Sequence, residues 1–271
     1  KEGCELSEPV RTVAGISYQR FFRKYLRLAA MSGTAREVAL ALRQVYDLPY
    51  LRVPPNRPNQ RHRLPDRLLP DAAAKSAAII DAVRACQARG QAVLIGTRSV
   101  GASEAVSAAL AACGIAHRTL NARQDADEAA LIVAAGQPGA VTVATNMAGR
   151  GTDIELADGV RAAGGLHVLL TEFHTSSRID RQLFGRCARQ GDPGTCQAVV
   201  AWDDDLFVRH GGLLRRALLP WRWLLPQTWA GAWLRAAAQR DAELGFARTR
   251  RQTMRHDETL ERTLGYAANG L

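Results

Sequence analysis

Between residues 71 and 202 the chain alternates stretches of helical periodicity with short, almost purely apolar runs, and few folds accept that pattern. It predicts helix over 71–89, strand over Ala92–Thr97, helix over 101–112, strand over His117–Leu120, helix over 126–135 and strand over Val141–Thr145. Strand Leu166–Thr171, helix 176–188 and strand Gln197–Trp202 complete the series. Strands that are apolar at nearly every residue need cover on both faces, and the crossover helices of a parallel sheet provide it. The expectation is therefore an α/β lobe of about 150 residues around a parallel sheet. Open sheets of this kind bind ligands beyond the carboxyl ends of their strands, which directs attention to Gly96–Ser99, Thr145–Asp153 and Glu172–Ser177.

Helical extensions are expected on both sides of the lobe. Tyr18, Phe21, Phe22, Tyr25, Leu26 and Leu28 recur at helical spacing; Ser32-Gly33-Thr34-Ala35 reads as a turn, and Ala35–Val45 as a second helix. The proline-rich stretch Val53–Pro58 connects these to the lobe. Over the last seventy residues the composition changes: all five tryptophans stand there, at 202, 221, 223, 229 and 233, followed by a charged helical stretch over 235–262. The reading gives three regions, 1–45, 46–210 and 211–271. Arg215, Arg216, Pro220, Arg222 and Pro226 interrupt the apolar stretch Leu213–Leu234, so a membrane span is not expected there. The tryptophans are read as a hydrophobic cap on the lobe, with an interfacial element on anionic lipid as the alternative.

Charge narrows little. The formal net charge is +10, but only Lys1, Lys24 and Lys75 are lysines, and an arginine bias can come from base composition as readily as from a phosphate-binding surface. Five scattered cysteines form no C-x-x-C pair, which suggests a reducing compartment and no metal cluster. No secretory leader opens the sequence, so a cytoplasmic protein is expected. A start at Lys1, with motifs that begin abruptly, suggests a piece of a longer chain.

Two segments carry chemistry. In the first, Gly149 and Gly151 flank Arg150, with Thr152 and Asp153 beyond; glycines let a backbone approach phosphate or ribose, Arg150 suits phosphate, and Asp153 suits sugar hydroxyls. In the second, Gln182 to Gly194, Arg186 and Arg189 stand three apart, a spacing that on a helix aims both guanidinium groups one way. Other signals read as structural. Asp203-Asp204-Asp205 is expected to cap a helix, and His167 and His174 to be hydrogen-bonded core groups. No G-x-x-x-x-G-K-[ST] cradle occurs. Phosphate-seeking arginines without a cradle require another lobe to hold the nucleotide and its metal.

Together, Asn146-Met-Ala-Gly-Arg-Gly-Thr-Asp-Ile154 and Gly185-Arg-Cys-Ala-Arg-Gln-Gly-Asp192 resemble the bacterial protein-translocation motor SecA. The resemblance extends through Ile16–Arg23, Leu28–Ala35, Asn56-Arg57-Pro58, Val93–Ser99, Gly164–His167 and Ala238-Gln239-Arg240. It implies a two-lobed, P-loop ATPase with RecA-like lobes, of which this chain supplies the second, the tail of the first, and the start of a helical scaffold. By that resemblance Asp153, Arg150, Gly151 and Gln182 bind nucleotide, Arg186 and Arg189 act as catalytic arginine fingers, and Gly33 and Thr34 couple the lobes. The implied cofactor is ATP, with Mg²⁺ held by the first lobe. The implied partners are that lobe, the Sec membrane channel and unfolded preprotein, with anionic lipid a further candidate and nucleic acid not expected. The implied location is the cytoplasmic face of the inner membrane, as a peripheral protein. Without the cradle, this chain alone is expected to be inactive. Ala30, Ser32 and Phe184 depart from the family's usual Gly, Thr and Arg, which points to a divergent paralogue. A superfamily-two helicase lobe and a non-catalytic regulatory module are the alternatives.

Overall fold

A computed structural model describes residues 17–120, 128–145, 153–221, 224 and 227–268. The chain divides into two compact units, one of residues up to 51 together with those from 245 onward, the other of residues 52–244. In the first unit, α1 (Tyr18–Phe22) is capped by Ser17, whose Oγ accepts the Arg20 N–H at 3.3 Å. The helix expected to reach Leu28 ends at Phe22, and its aromatic residues continue as a stack in which Phe21 meets Tyr25 edge-on at 5.7 Å. The next helix opens as a single 3₁₀ turn, Ala35–Val38, before α2 (Ala39–Tyr46).

The second unit is the expected α/β lobe. Its elements are β1 (Arg61–Arg63), β2 (Arg67–Leu69), α3 (Ala72–Ala88), β3 (Val93–Thr97), α4 (Val100–Ala112), β4 (Arg118–Leu120), α5 (Glu128–Ala135) and β5 (Val141–Thr145). There follow α6 (Asp158–Ala162), β6 (Leu166–Leu170), α7 (Ser177–Phe184), β7 (Gly194–Ala201), α8 (Asp205–His210), α9 (Gly212–Leu218) and α10 (Gln227–Ala268), which enters the first unit beyond Leu244. Every strand pairing is parallel, in the order β1-β7-β6-β3-β5-β4, with β2 following β1 along the same edge of β7.

The alternation of side chains explains why these strands have no polar face. Val93 and Ile95 point to Ile79, Val83 and Cys86 of α3 and Leu110 of α4. Leu94, between them, points to the opposite core, shared with Val160, Leu183, Phe184, Phe207, Leu234 and Ala238. Each such fully buried aliphatic side chain contributes roughly 1.5–3 kcal/mol. The fit is close: a Cβ on Gly96 would lie 2.2 Å from the Leu183 Cδ2, so any larger residue there would displace the Leu183 side chain that packs α7 on the sheet.

The tryptophans depart from expectation. Trp202 is buried and Trp221 is 59% exposed; Trp229 and Trp233 are 70% and 65% exposed because α10 turns Ala230, Leu234, Ala238 and Ala242 to the lobe instead, and Trp223 lies outside the described residues. Among the described residues no helix is long and apolar enough to cross a membrane.

The acidic run does not cap α8 through the Asp204 side chain as expected. Asp203 accepts the N–H of Ala72 at 3.1 Å, assisting the start of α3, and Asp205 pairs with Arg98 and Arg209. Asp204 occupies the cap position of α8, yet its side chain turns inward to accept the Ala201 N–H and to pair with Lys75.

His167 and His174 are both buried and hydrogen-bonded, to Thr195 at 2.6 Å and Asp180 at 2.8 Å. Burial, with a smaller push from Arg89, lowers the His167 pKa to about 4 from 6.5. The unfolded chain therefore binds the extra proton more readily, and stability present above pH 6.5 is lost as pH falls toward 4. The loss from this residue is expected to reach roughly 2 kcal/mol by pH 5. Urea unfolding of the wild type and His167→Gln at pH 7.5 and pH 5 checks this: the variant should lose less stability between the two, and equal losses would refute it.

Candidate functional site

The Gln182–Gly194 segment is not a continuous helix. α7 stops at Phe184, where Gly185 closes the last turn by donating to the Arg181 carbonyl at 2.8 Å. The next residues turn sharply: Arg186 N–H bonds the Leu183 carbonyl, the Cys187 thiol donates to the Phe184 carbonyl at 3.2 Å, and Ala188 and Gln190 adopt φ of 55° and 54°. Arg186 and Arg189 thus lie on a loop, and the shared helix face predicted from their spacing does not exist.

Remote donors account for the break. Arg57 Nη1 donates to the Gln190 carbonyl at 2.8 Å, Gln60 Nε2 to the Gly191 carbonyl at 2.6 Å, and Arg61 Nη2 to the Cys187 carbonyl at 3.0 Å. These bonds satisfy backbone groups that a continued helix would have paired internally. Close packing adds to the constraint, since a Cβ on Gly194 would lie 2.7 Å from the Ala188 nitrogen. The end of the proline-rich connector, Arg57, and the residues just after it, Gln60 and Arg61, are therefore the clamp of the arginine loop. Its partners lie 126–133 residues away along the chain, and no local signal marks them.

The structure brings two of the candidate residues together. Arg189 Nη1 lies 3.0 Å from Asp153 Oδ1, with the two side chains 38% and 40% exposed. Arg189 Nε also donates to the Gly185 carbonyl at 2.9 Å, which fixes the stem of the side chain, and Asp153 Oδ1 accepts the Ile154 N–H at 3.1 Å. Arg186 is half-buried and Gln182 exposed on α7. Arg150 and Gly151 lie outside the described residues. Gly33 and Thr34 belong to the first unit, where Thr34 is buried and its N–H bonds Ser32 Oγ at 3.2 Å.

The position of the pair corrects the carboxyl-end rule. Arg189 sits five residues before β7, on the loop that leads into the sheet. The chain after Asp153 is at the same end: a Cβ on Gly136, in the turn entering β5, would lie 1.8 Å from the Glu155 carbonyl oxygen. Asp192 joins the next turn through Arg161 at 3.2 Å, and a Cβ on Gly165, just before β6, would strike the Pro193 carbonyl. The candidate site is at the amino ends of the strands. There it presents a carboxylate and guanidinium groups on a clamped loop, half open to solvent, suited to sugar hydroxyls and phosphate oxygens.

Comparison with known proteins gives the same direction throughout the chain. The SecA P-loop domain profile matches residues 58–159 and 155–219, and the SecA DEAD-like domain profile matches residues 1–43. Protein translocase subunit SecA 3 of Magnetococcus marinus is 48% identical over 270 residues, 98% of this chain and 41% of its own length. Protein translocase subunit SecA 2 of Nitrosospira multiformis is 48% identical over 272 residues, 100% of this chain and again 41% of its own length. The chain spans about two fifths of these relatives (41%). Among solved structures, the E. coli DEAD-box protein SrmB, bound to regulator of ribonuclease activity A, is similar at TM-score 0.43 and 21% identity, over 56% of this chain and 82% of that one.

Proposed function

We propose, from the premise that this chain belongs to the SecA family, that it forms the second ATPase lobe and the start of the helical scaffold of a preprotein translocase motor. In this reading residues 1–45 end the first lobe, 46–210 form the second, and 211–271 begin the scaffold. The motor couples ATP binding and hydrolysis to movement of unfolded protein through the Sec channel, working as a peripheral protein at the cytoplasmic face of the membrane.

The observation that carries the reading is the Asp153–Arg189 contact on a loop clamped by Arg57, Gln60 and Arg61. The donor set fits a nucleotide: Asp153 accepts ribose hydroxyls, and the Arg186 and Arg189 forks meet phosphate oxygens. When bound, ATP supplies the phosphoryl group that is transferred to water. Arg189 exchanges its carboxylate partner for that phosphate, so the 3.0 Å pair is the resting arrangement and its opening accompanies nucleotide arrival. Arg150, Gly151 and Gln182 complete the nucleotide contacts, and Gly33 and Thr34 couple the change between the two lobes. The phosphate cradle and the Mg²⁺ ligands belong to that lobe, and the isolated chain does not turn over ATP.

Full-length protein supplied with an unfolded precursor and vesicles carrying the Sec channel is expected to hydrolyse ATP faster than protein alone. Turnover indifferent to both additions would overturn the motor assignment, and stimulation by single-stranded RNA instead would give the helicase reading. A full-length protein without turnover would be a regulatory member of the family.

A further inference from the structure

Apart from Asp153, Arg186 and Arg189, a cavity of about 360 Å³ opens where β1 and the start of β7 meet α7 and α10. Arg61, Arg63, Arg181 and Arg235 line it, and Ser177 and Gln239 add polar groups. The wall contributes one carboxylate, Asp180, which is already occupied: it accepts from the backbone and ring of His174 at 2.9 and 2.8 Å and from Gln239 Nε2 at 2.6 Å.

The guanidinium groups are held in place before any ligand arrives. Asp66 accepts from Arg63 Nη2 at 2.9 Å and from Arg235 Nη1 at 3.0 Å. The Arg63 guanidinium lies over the Phe184 ring at 4.7 Å and that of Arg235 over the Phe173 ring at 5.1 Å, which fixes the planes of both forks. Arg61 gives one Nη to the Cys187 carbonyl, but its buried Nε has no acceptor among the described residues. A buried charged donor left unpaired is costly, and it marks a place where an acceptor belongs. Phe184 stands where the family resemblance expects arginine, so the aromatic platform under Arg63 belongs to this sequence.

We propose that this cavity binds a small phosphate-type oxyanion, either as the free anion or as a phosphomonoester. Arg63 and Arg235 share a single carboxylate, Asp66, and an anion with three or more acceptor oxygens would meet the Arg61 Nε and further N–H groups of these forks at once. The volume accommodates a phosphate carrying a small organic body. Because Arg61 also holds the Cys187 carbonyl, occupancy of the cavity bears on the arginine loop without using its arginines.

Calorimetric titration of the full-length protein with inorganic phosphate at low ionic strength tests the site. Saturable binding is expected, weakened roughly tenfold or more by Arg235→Gln or Arg61→Gln, and retained by Arg189→Ala. Ser177→Asp serves as a variant that leaves the arginines in place: it adds a carboxylate to the wall at a helix start that tolerates one, and should abolish binding without lowering Tm. Absence of saturable binding, binding that survives all three cavity variants, or binding that Arg189→Ala abolishes would each overturn the proposal. Vesicles containing phosphatidic acid separate the two sources. Pelleting that Ser177→Asp removes identifies a lipid headgroup, and phosphate binding without pelleting identifies the free anion.

Discussion

Arg189→Ala in the full-length protein is expected to lower ATP turnover by roughly 10³-fold while changing the unfolding free energy by only about 1 kcal/mol. The two effects separate because Arg189 has two kinds of contact. Its pair with Asp153 is 38–40% exposed, where an ion pair contributes little to stability, and its Nε bond to the Gly185 carbonyl is a single cap at the end of α7. In the proposed reaction the same guanidinium faces charge that develops on the transferred phosphoryl group, where a finger acts almost wholly on the transition state. Arg189→Lys keeps the charge but loses the planar fork, so it should restore little turnover. Arg186→Ala should match the loss. Wild-type turnover by Arg189→Ala, measured under saturating ATP with precursor and channel present, would remove the residue from the role given to it.

Lys75→Met is expected to destabilise the fold by about 3–5 kcal/mol near pH 7.5. Lys75 and Asp204 pair between α3 and the turn after β7, with side chains 13% and 5% exposed. Burial raises the Asp204 pKa to about 6 even though Lys75 and the Ala201 N–H pull it down. Removing the ammonium leaves a buried carboxylate with one remaining backbone donor, and breaking such a pair costs far more than the pair itself contributes. The pH dependence has a definite sign. A folded-state pKa of about 6, above the ordinary 3.8, means that the native state binds the proton more tightly, so this group's penalty grows as pH rises from 3.8 through 6. In Lys75→Met the window extends upward, because the carboxyl without its ammonium protonates more readily still. The destabilisation should therefore shrink as the solution is acidified toward pH 5. Chemical denaturation of both proteins at pH 7.5 and pH 5 reads this directly, and a cost that does not fall with pH would refute the account.

The lobe was legible because burial on two faces leaves a mark on every residue of a strand. Val93–Thr97 and Val141–Thr145 are strands in the structure as in the sequence pattern; Asp71 caps α3 before the first of them and Ser99 caps α4 after it, each through a side-chain oxygen. The edge was not legible. Arg61–Arg63 and Arg67–Leu69 are three residues each, too short for periodicity, and they are strands only because β7 offers them a free edge. The tryptophans misled for a related reason. Helical spacing determines that Trp229 and Trp233 share a face, but Leu234 and Ala238 fill the lobe surface first.

At the candidate site the division is sharper. By itself the sequence determined the residue types: two arginines within a glycine-flanked run, an aspartate after a second glycine pair, and no phosphate cradle, which together imply half of a nucleotide site. Only the tertiary structure decided that the arginines sit on a loop and that Arg189 meets Asp153 at the amino ends of the strands. The physical reason is the range of the forces. Helix propensity and spacing act over a few residues, whereas the carbonyls of Cys187, Gln190 and Gly191 are claimed by Arg61, Arg57 and Gln60 from more than a hundred residues away, and those bonds end the helix.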